Sequence, residues 1–351
     1  MAPRPLSDTV PGELALIEAI RRRAGSRTAA LRVGIGDDCA VLRPRPGYEI
    51  CVTTDFTLED RHFRRGWHPA EWVGHRCLAR GLSDLAAMGA EPMAVFLSLA
   101  VPARLPAVWV HRFLDGFLAL ARKHRVELAG GDTAQSPAIS NAASEQNDGL
   151  ILAHVVAVGQ VPRGKAVLRR GARVGDWIYV TGALGGAAAE LAALEKSPGR
   201  LGRITEAATG HPHLYPEPRL AVGRRLRGLA HAMIDLSDGL STDLAHLCEE
   251  SGVAVVIDEL ALPVHALASD AANPLHLALH GGEDYELLFT AAPSARVPRK
   301  VAGVAIHRIG TVCKARRRGP RMVLVRRDGE QAPLEALGWE HFRQVKSDGR
   351  R

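Results

Sequence analysis

Hydrophobic and polar positions follow two rhythms along the chain. In residues 11–23 (PGELALIEAIRRR) apolar side chains recur at three- and four-residue spacing behind a proline, which predicts an amphipathic helix. Residues 48–54 are rich in β-favouring types and predict a strand whose carboxyl end carries Asp55. Residues 69–89 are apolar almost all round, the pattern of a buried helix. At about 100° per residue, Val73, Cys77, Asp84 and Ala87 share one face of it, so Asp84 is expected inside with a partner. A strand over 93–101, a helix over 106–124, a short strand over 126–129 running into Gly130-Gly131-Asp132, a polar loop over 133–149 and a strand over 150–158 complete the first half. The second half predicts strands over 177–181, 232–236, 254–257, 285–290, 304–313 and 322–326, with helices over 187–194, 217–229 and 240–251 and a further helical region after 257.

Strands and helices alternate in both halves, which favours α/β or α+β layering. At 351 residues the chain exceeds the roughly 250–300 at which single cores stop growing. The composition changes across 162–175, so two domains are expected, 1–160 and 161–351. No repeat of fixed period is visible.

Charge narrows the partners. The net charge of +7 raises the question of nucleic acid, but the densest basic run, 314–321, reads as a loop between late strands without a recognisable nucleic-acid-binding motif. A solvated basic face is the plainer reading, and no nucleic-acid partner is expected. An anionic small substrate would also suit the positive field. No apolar run approaches the roughly 20 residues of a membrane span, and residues 1–5 lack the apolar core of a signal peptide. Five scattered cysteines without a CxxC pair suit a reducing cytoplasm, with neither disulfides nor a zinc site, and Cys77 and Cys248 read as core residues.

The chemistry lies in the aspartates. Asp37 and Asp38 stand between a glycine entry (Gly34-Ile35-Gly36) and an apolar run, and read as acids packed among residues that prefer burial. A buried carboxylate costs several kcal/mol unless a cation or hydrogen-bond donors meet it. The same composition recurs at Thr53-Thr54-Asp55, Ser83-Asp84, Gly131-Asp132 and Asp235-Leu236-Ser237-Asp238. Short carboxylates converging with Thr53 and Thr54 would suit Mg²⁺, which takes oxygen ligands. The structural alternatives are a helix cap at Ser237 or Asp238 and a turn at Asp132.

Other motifs are weaker. Residues 159–166 have the GxxxxGK spacing of a P-loop but end in Ala166, and Pro162 removes an amide from the would-be phosphate cradle. Residues 182–186 allow a phosphate at a helix N-terminus or simply a close strand–helix turn. In Gly281-Gly282-Glu283-Asp284-Tyr285, either acid suits a cationic ligand or a hydrogen-bonded turn.

Taken together, GIGDDCAVL, TTDFTLEDRHF, LSDLAAMGAEP, GGDT, GDWIYVTGALG, IDLSDGLSTDLAHL and GGEDYELLFT, in this order over 34–342, resemble the thiamine-monophosphate kinase family, relatives of aminoimidazole-ribonucleotide synthetase and selenophosphate synthetase. The resemblance implies a two-domain PurM-like fold. Its N-terminal α/β domain would carry a dimer-forming sheet and the ATP and Mg²⁺ site, and its C-terminal α/β domain would complete the nucleotide and substrate site. It also implies ATP-dependent phosphorylation of thiamine monophosphate to thiamine diphosphate by a homodimer.

By position, the resemblance makes Asp38, Thr53, Thr54, Asp55, Asp84, Asp132, Asp235 and Asp238 metal ligands, some through backbone or water. It places Gly131, Asp132, Arg169 and Ser237 near ATP, and His62, Glu283 and Trp339 near the substrate. A carboxylate and a large aromatic face suit the cationic thiazolium of thiamine. No general base is nominated, because a phosphate monoester is already largely ionised near neutral pH (second pKa about 6). The chain departs from the family at Gly81, where Asn is usual, and at Leu58-Glu59-Asp60-Arg61, beside His62. Two other readings stand: a relative with another phosphate acceptor, or a non-catalytic nucleotide or metal sensor on the same scaffold.

Overall fold

The computed structural model describes residues 12–24, 29–138, 149–197 and 210–340. The first five residues, most of the polar loop after 133 and Phe342 lie outside them.

In chain order the elements are α1 (Glu13–Arg23), β1 (Leu31–Val33), β2 (Val41–Leu42), β3 (Tyr48–Leu58), α2 (Ala70–Ala87), β4 (Glu91–Val101), α3 (Ala107–His124), β5 (Glu127–Gln135) and β6 (Leu152–Pro162). There follow β7 (Trp177–Thr181), α4 (Gly186–Lys196), α5 (Leu220–Leu226), β8 (Ala230–Asp235), α6 (Leu240–Ser251), β9 (Val253–Asp258), α7 (Ala266–Ser269) and α8 (Pro274–His280). The last strands are β10 (Leu287–Ala291), β11 (Lys300–Val301), β12 (Val304–Lys314), β13 (Met322–Val325) and β14 (Gln331–Pro333). Mixed α/β layering is thus observed in both halves. No helix among the described residues is long and apolar enough to cross a membrane.

A four-stranded sheet of order β3-β6-β4-β5 forms the first half, and a larger sheet of order β14-β13-β9-β12-β7-β10-β8, with β11 on β12, forms the second. Helix α2 is buried between them, as its all-round apolarity predicts: Val73, Cys77, Leu78 and Leu82 have no exposed surface. One core cluster runs from α2 and α3 into Leu226, Met233, Leu287 and Phe289 of the second half. A second core lies on the opposite side of the large sheet, among α6, α8, β9 and β13. The two halves therefore meet across α2, the helix that carries Asp84.

Three expectations change. Strand β3 continues to Leu58, paired residue for residue with β6, so Asp55 sits inside the strand, opposite Val155, and not at its end. Strand β5 likewise runs through Gly130-Gly131-Asp132, held parallel to β4 from Ala94 to Val101, and no turn forms there. Long-range pairing overrides the local glycine signal in that segment. Finally, Asp37 and Asp38 are exposed, because Val41 and Leu42 make only a two-residue strand and Val41 itself is 51% exposed.

Candidate active site

Strand alternation decides which β3 residues can act together. Thr53 and Asp55 face α2, whereas Thr54 lies on the opposite, exposed face beside Val52 and Phe56. The Thr53 hydroxyl donates to Asp84 on α2. Asp235, 4% exposed at the end of β8, accepts a 2.7 Å hydrogen bond from Ser83. Burial pushes Asp55 up to about 6, with Arg80 opposing and Asp84 adding to the rise. Burial and then the charge of Asp84 push Asp235 up to about 7. Asp84 is raised too, by burial, against the Thr53 hydrogen bond and the charges of Arg169 and Arg80. These three carboxyls are short of positive charge.

A cavity of about 370 Å³ joins Asp55, Asp84, Asp235 and Asp238 to Ser237, His62, Glu283 and Trp339. A second, of about 350 Å³, places Arg169 and Thr53 on the other side of the same Asp84 and Asp235. Asp38, Gly131 and Asp132 are brought together elsewhere, in a cavity of about 700 Å³ against α1. The eight metal-ligand candidates therefore fall into separate groups. Among the described residues, no three or more His, Cys, Asp or Glu side chains converge enough to enclose an ion unaided. Gly131 has a structural reason to be glycine: its φ is +151°, and a Cβ there would lie 1.8 Å from the Leu97 carbonyl oxygen.

The helix-cap alternative for Ser237 and Asp238 is not realised. Gly239 is the N-cap of α6, and the Asp243 carboxylate reaches back to accept from the Asp238 and Gly239 amides at 3.1 Å each. The P-loop spacing is also not used as one, since Gly159 lies within β6 and the strand ends at Pro162. The amides at the turn before α4 are taken by a carboxylate of the chain itself: Asp284 accepts from the Gly185 and Ala187 amides at 2.7 and 3.2 Å. Burial pushes Asp284 up to about 7 despite those bonds. Cys77 and Cys248 are buried and free, with thiols pushed up to about 12 by burial.

Glu283 is not an unpaired counter-charge. Arg76 donates to it at 2.9 Å, His213 Nδ1 lies at 3.0 Å and Arg80 at 3.4 Å. Burial would raise its pKa, but Arg76 above all, then His213 and Arg80, hold it well below the carboxylate range. Glu283 and Tyr285 both have left-handed backbone (φ 65° and 49°), a costly conformation for these residues that marks the segment as tightly constrained. His62 Nδ1 accepts the Leu58 amide at 3.0 Å, which in the neutral ring leaves the proton on Nε2. At the cavity mouth, the Arg61 guanidinium lies over the Trp339 ring at 5.3 Å, and the Trp339 amide donates to the Asp238 carbonyl.

Arg76, Arg80, His213 and Tyr285 were not singled out from the sequence. A signal was available: two arginines in an otherwise buried helix, four and eight residues before Asp84, must find acidic partners. Gly81, the family departure, packs tightly, since a Cβ there would lie 3.2 Å from Ala157 Cβ and 3.3 Å from Val155 Cγ1.

Comparison with known proteins agrees with this architecture. Residues 36–161 match the family model of AIR synthase related protein, N-terminal domain, and residues 173–322 that of its C-terminal domain. The thiamine-monophosphate kinase of Salmonella typhimurium is 37% identical over 343 residues, covering 94% of this chain and 98% of that protein. The crystal structure of thiamine-monophosphate kinase from Stenotrophomonas maltophilia K279a is 36% identical, with TM-score 0.75, over 92% of this chain and 98% of that one. AaThiL complexed with AMPPCP and TMP is 30% identical, with TM-score 0.71, over 97% and 100%. With both domain models matched in order and relatives aligned nearly end to end, the chain belongs to the thiamine-monophosphate kinase family.

Proposed function

We propose that this chain transfers the γ-phosphoryl group of ATP to thiamine monophosphate, giving thiamine diphosphate and ADP. The observation that carries the reading is the row of acids Asp55, Asp84 and Asp235, the first two half-buried and the third buried, with raised pKa values, along a cavity that ends at an aromatic face. Its volume of about 370 Å³ lies in the usual small-molecule range of roughly 300–1,000 Å³.

The donor set fits Mg²⁺: carboxylates and the Thr53 hydroxyl are hard oxygen ligands. Mg²⁺ commonly uses one or two carboxylates and completes its octahedron with water and substrate phosphate, so acids that approach without enclosing an ion suit it. Asp84 and Asp235 would hold it from the protein side, with Asp55 and Asp238 beside them. Bound there, it would neutralise the phosphate charges that otherwise repel these acids. The chain's own residues would position the acceptor: Trp339, an aromatic side chain that suits a cationic ring, and His62 both line the cavity. Arg169, on the far side of Asp84 and Asp235, and Ser237 would lie towards ATP. No residue is assigned as general base, because the attacking monophosphate oxygen needs none.

We assign residues 1–160 to ATP and Mg²⁺ binding and dimerisation, residues 161–351 to completing the substrate site, and the protein to the cytoplasm. Among the described residues, β3 of the four-stranded sheet pairs only with β6, leaving an eleven-residue edge. Ile50, Val52 and Phe56 on it are 45%, 62% and 58% exposed. Such an edge with an apolar face calls for cover. A second copy of this chain supplies it, and would also change the surroundings of Asp38 and Asp132. Incubation with ATP, Mg²⁺ and thiamine monophosphate, followed by chromatography, should yield thiamine diphosphate and ADP in equal amounts. Phosphorylation of a different acceptor, or nucleotide binding without turnover, overturns the assignment.

A further inference from the structure

We propose that Arg80 binds the phosphate of the acceptor, so that the site selects a phosphorylated ligand over its free alcohol. The inference rests on the function proposed above and assigns a role to a residue that neither the sequence motifs nor that reading used.

The cavity presents a problem of sign. Asp55, Asp84, Asp235, Asp238 and Glu283 all line it, so a phosphate dianion entering it is repelled unless a fixed cation stands at its landing point. Two guanidinium groups line the same cavity, Arg61 and Arg80. Arg61 stands at the mouth over Trp339, on the ring side. Arg80 stands inside, beside the acids.

Arg76 and Arg80, one helical turn apart on α2, differ in what holds them. Arg76 is 2% exposed and committed: it donates to the backbone carbonyls of His213 and His62 and to Glu283 at 2.9 Å. Arg80 makes looser contacts, at 3.0 Å to Tyr285 Oη, 3.4 Å to Glu283 and 3.5 Å to Asp55. Glu283 already has the Arg76 charge at 2.9 Å and His213 Nδ1 at 3.0 Å, so the Arg80 charge is not needed there. Among the described residues, its remaining acidic partner is Asp55, at the longest of the three distances. The Nε–H of Arg80 is buried without a hydrogen-bond partner, a further sign that this guanidinium is not satisfied as it stands.

Position supplies the last step. Arg80 and Asp84 are four residues apart, hence neighbours about 5–6 Å apart on one face of α2. An anion held by the planar fork of Arg80 would sit one helical turn from the acids proposed to hold Mg²⁺, where the phosphate must be for transfer. Trp339 lines the same cavity, on the side where Arg61 lies over its ring.

Calorimetric titration of wild type, Arg80→Met and Arg80→Lys with thiamine monophosphate and with unphosphorylated thiamine tests this. Loss of a charge-assisted contact should weaken monophosphate binding by Arg80→Met about tenfold to a hundredfold, with thiamine affinity changed less than about threefold. Arg80→Lys, which keeps the charge without the fork, should fall between and serves if Arg80→Met does not fold by circular dichroism. Equal loss for both ligands makes Arg80 a structural support of the cavity and overturns the proposal, as does unchanged monophosphate binding. Wild-type protein that binds thiamine monophosphate but does not phosphorylate it overturns the proposed function while leaving the Arg80 comparison intact.

Discussion

Ser83 Oγ, on the helix between the two halves, donates a 2.7 Å hydrogen bond to Asp235 Oδ2, at the end of a strand of the second half. Both residues are buried, and the bond sets Asp235 against Asp84, the next residue after Ser83. Asp235 has its folded-state pKa raised to about 7, above the ordinary 3.8. Its contribution to stability is therefore full below about pH 3.8 and is lost as pH rises through 7. Asp235→Asn keeps the acceptor for Ser83 and removes the charge. Without divalent ions it should be more stable than wild type at pH 8, by about 2–4 kcal/mol, with the difference closing by pH 4. Added Mg²⁺ should raise the melting temperature of wild type and not of the variant. Urea midpoints at several pH values decide it: a difference independent of pH removes the buried-charge reading.

Asp55→Asn and Asp84→Asn should each abolish phosphoryl transfer while leaving the circular dichroism spectrum unchanged. The side chains keep their shape and lose only the charge that would hold a cation. Near-normal turnover of either variant at ordinary Mg²⁺ concentrations would end the case for metal at these acids.

The edge strand predicts an assembly state. Light scattering on a sizing column should give twice the chain mass of 37.6 kDa for wild type. Val52→Lys with Phe56→Glu should give the single-chain mass, because charged side chains on an edge block strand-to-strand association. A wild-type protein of single-chain mass at micromolar concentration argues against the dimer.

His68 and His213 make a pH-dependent contact at the back of the cavity, His213 lining it and His68 packed behind. The Arg64 amide donates to His68 Nδ1 at 3.2 Å, His68 Nε2 meets His213 Nε2 at 3.1 Å, and His213 Nδ1 lies 3.0 Å from Glu283. Burial, followed by the charge of Arg76, lowers His68 to about 3. The unfolded histidine, near 6.5, takes up a proton that the folded one refuses, so stability falls as pH drops from about 6.5 towards 3. His68 alone accounts for about 2 kcal/mol between pH 8 and pH 5. His68→Gln should flatten the urea-midpoint profile by about that amount over this interval. A profile as steep as that of wild type would place the titration elsewhere.

Much of this molecule was legible in its sequence. Apolar spacing marked α1, α2, α3 and α6 and most of the strands, because a side-chain period of 3.6 or 2 reports directly which face of an element is buried. The run Leu82-Ser83-Asp84 placed an acid on the face of a buried helix, and that acid meets Thr53 as an interior carboxylate must. Glycine was the less reliable guide: Gly130-Gly131 lies inside β5, because pairing with β4 outweighs local preference.

What only the tertiary structure decided is which charges meet. The sequence grouped eight ligand candidates by composition, whereas strand alternation turned Thr54 outward and packing set Asp38 and Asp132 in a different cavity from Asp55 and Asp235. It paired Glu283 with Arg76, 207 residues away along the chain, and so removed the charge that the motif alone offered to a ligand. Local period fixes a side chain's face, but its partner depends on how whole elements pack, and the charge of a buried group is settled by that partner and by the water it has lost.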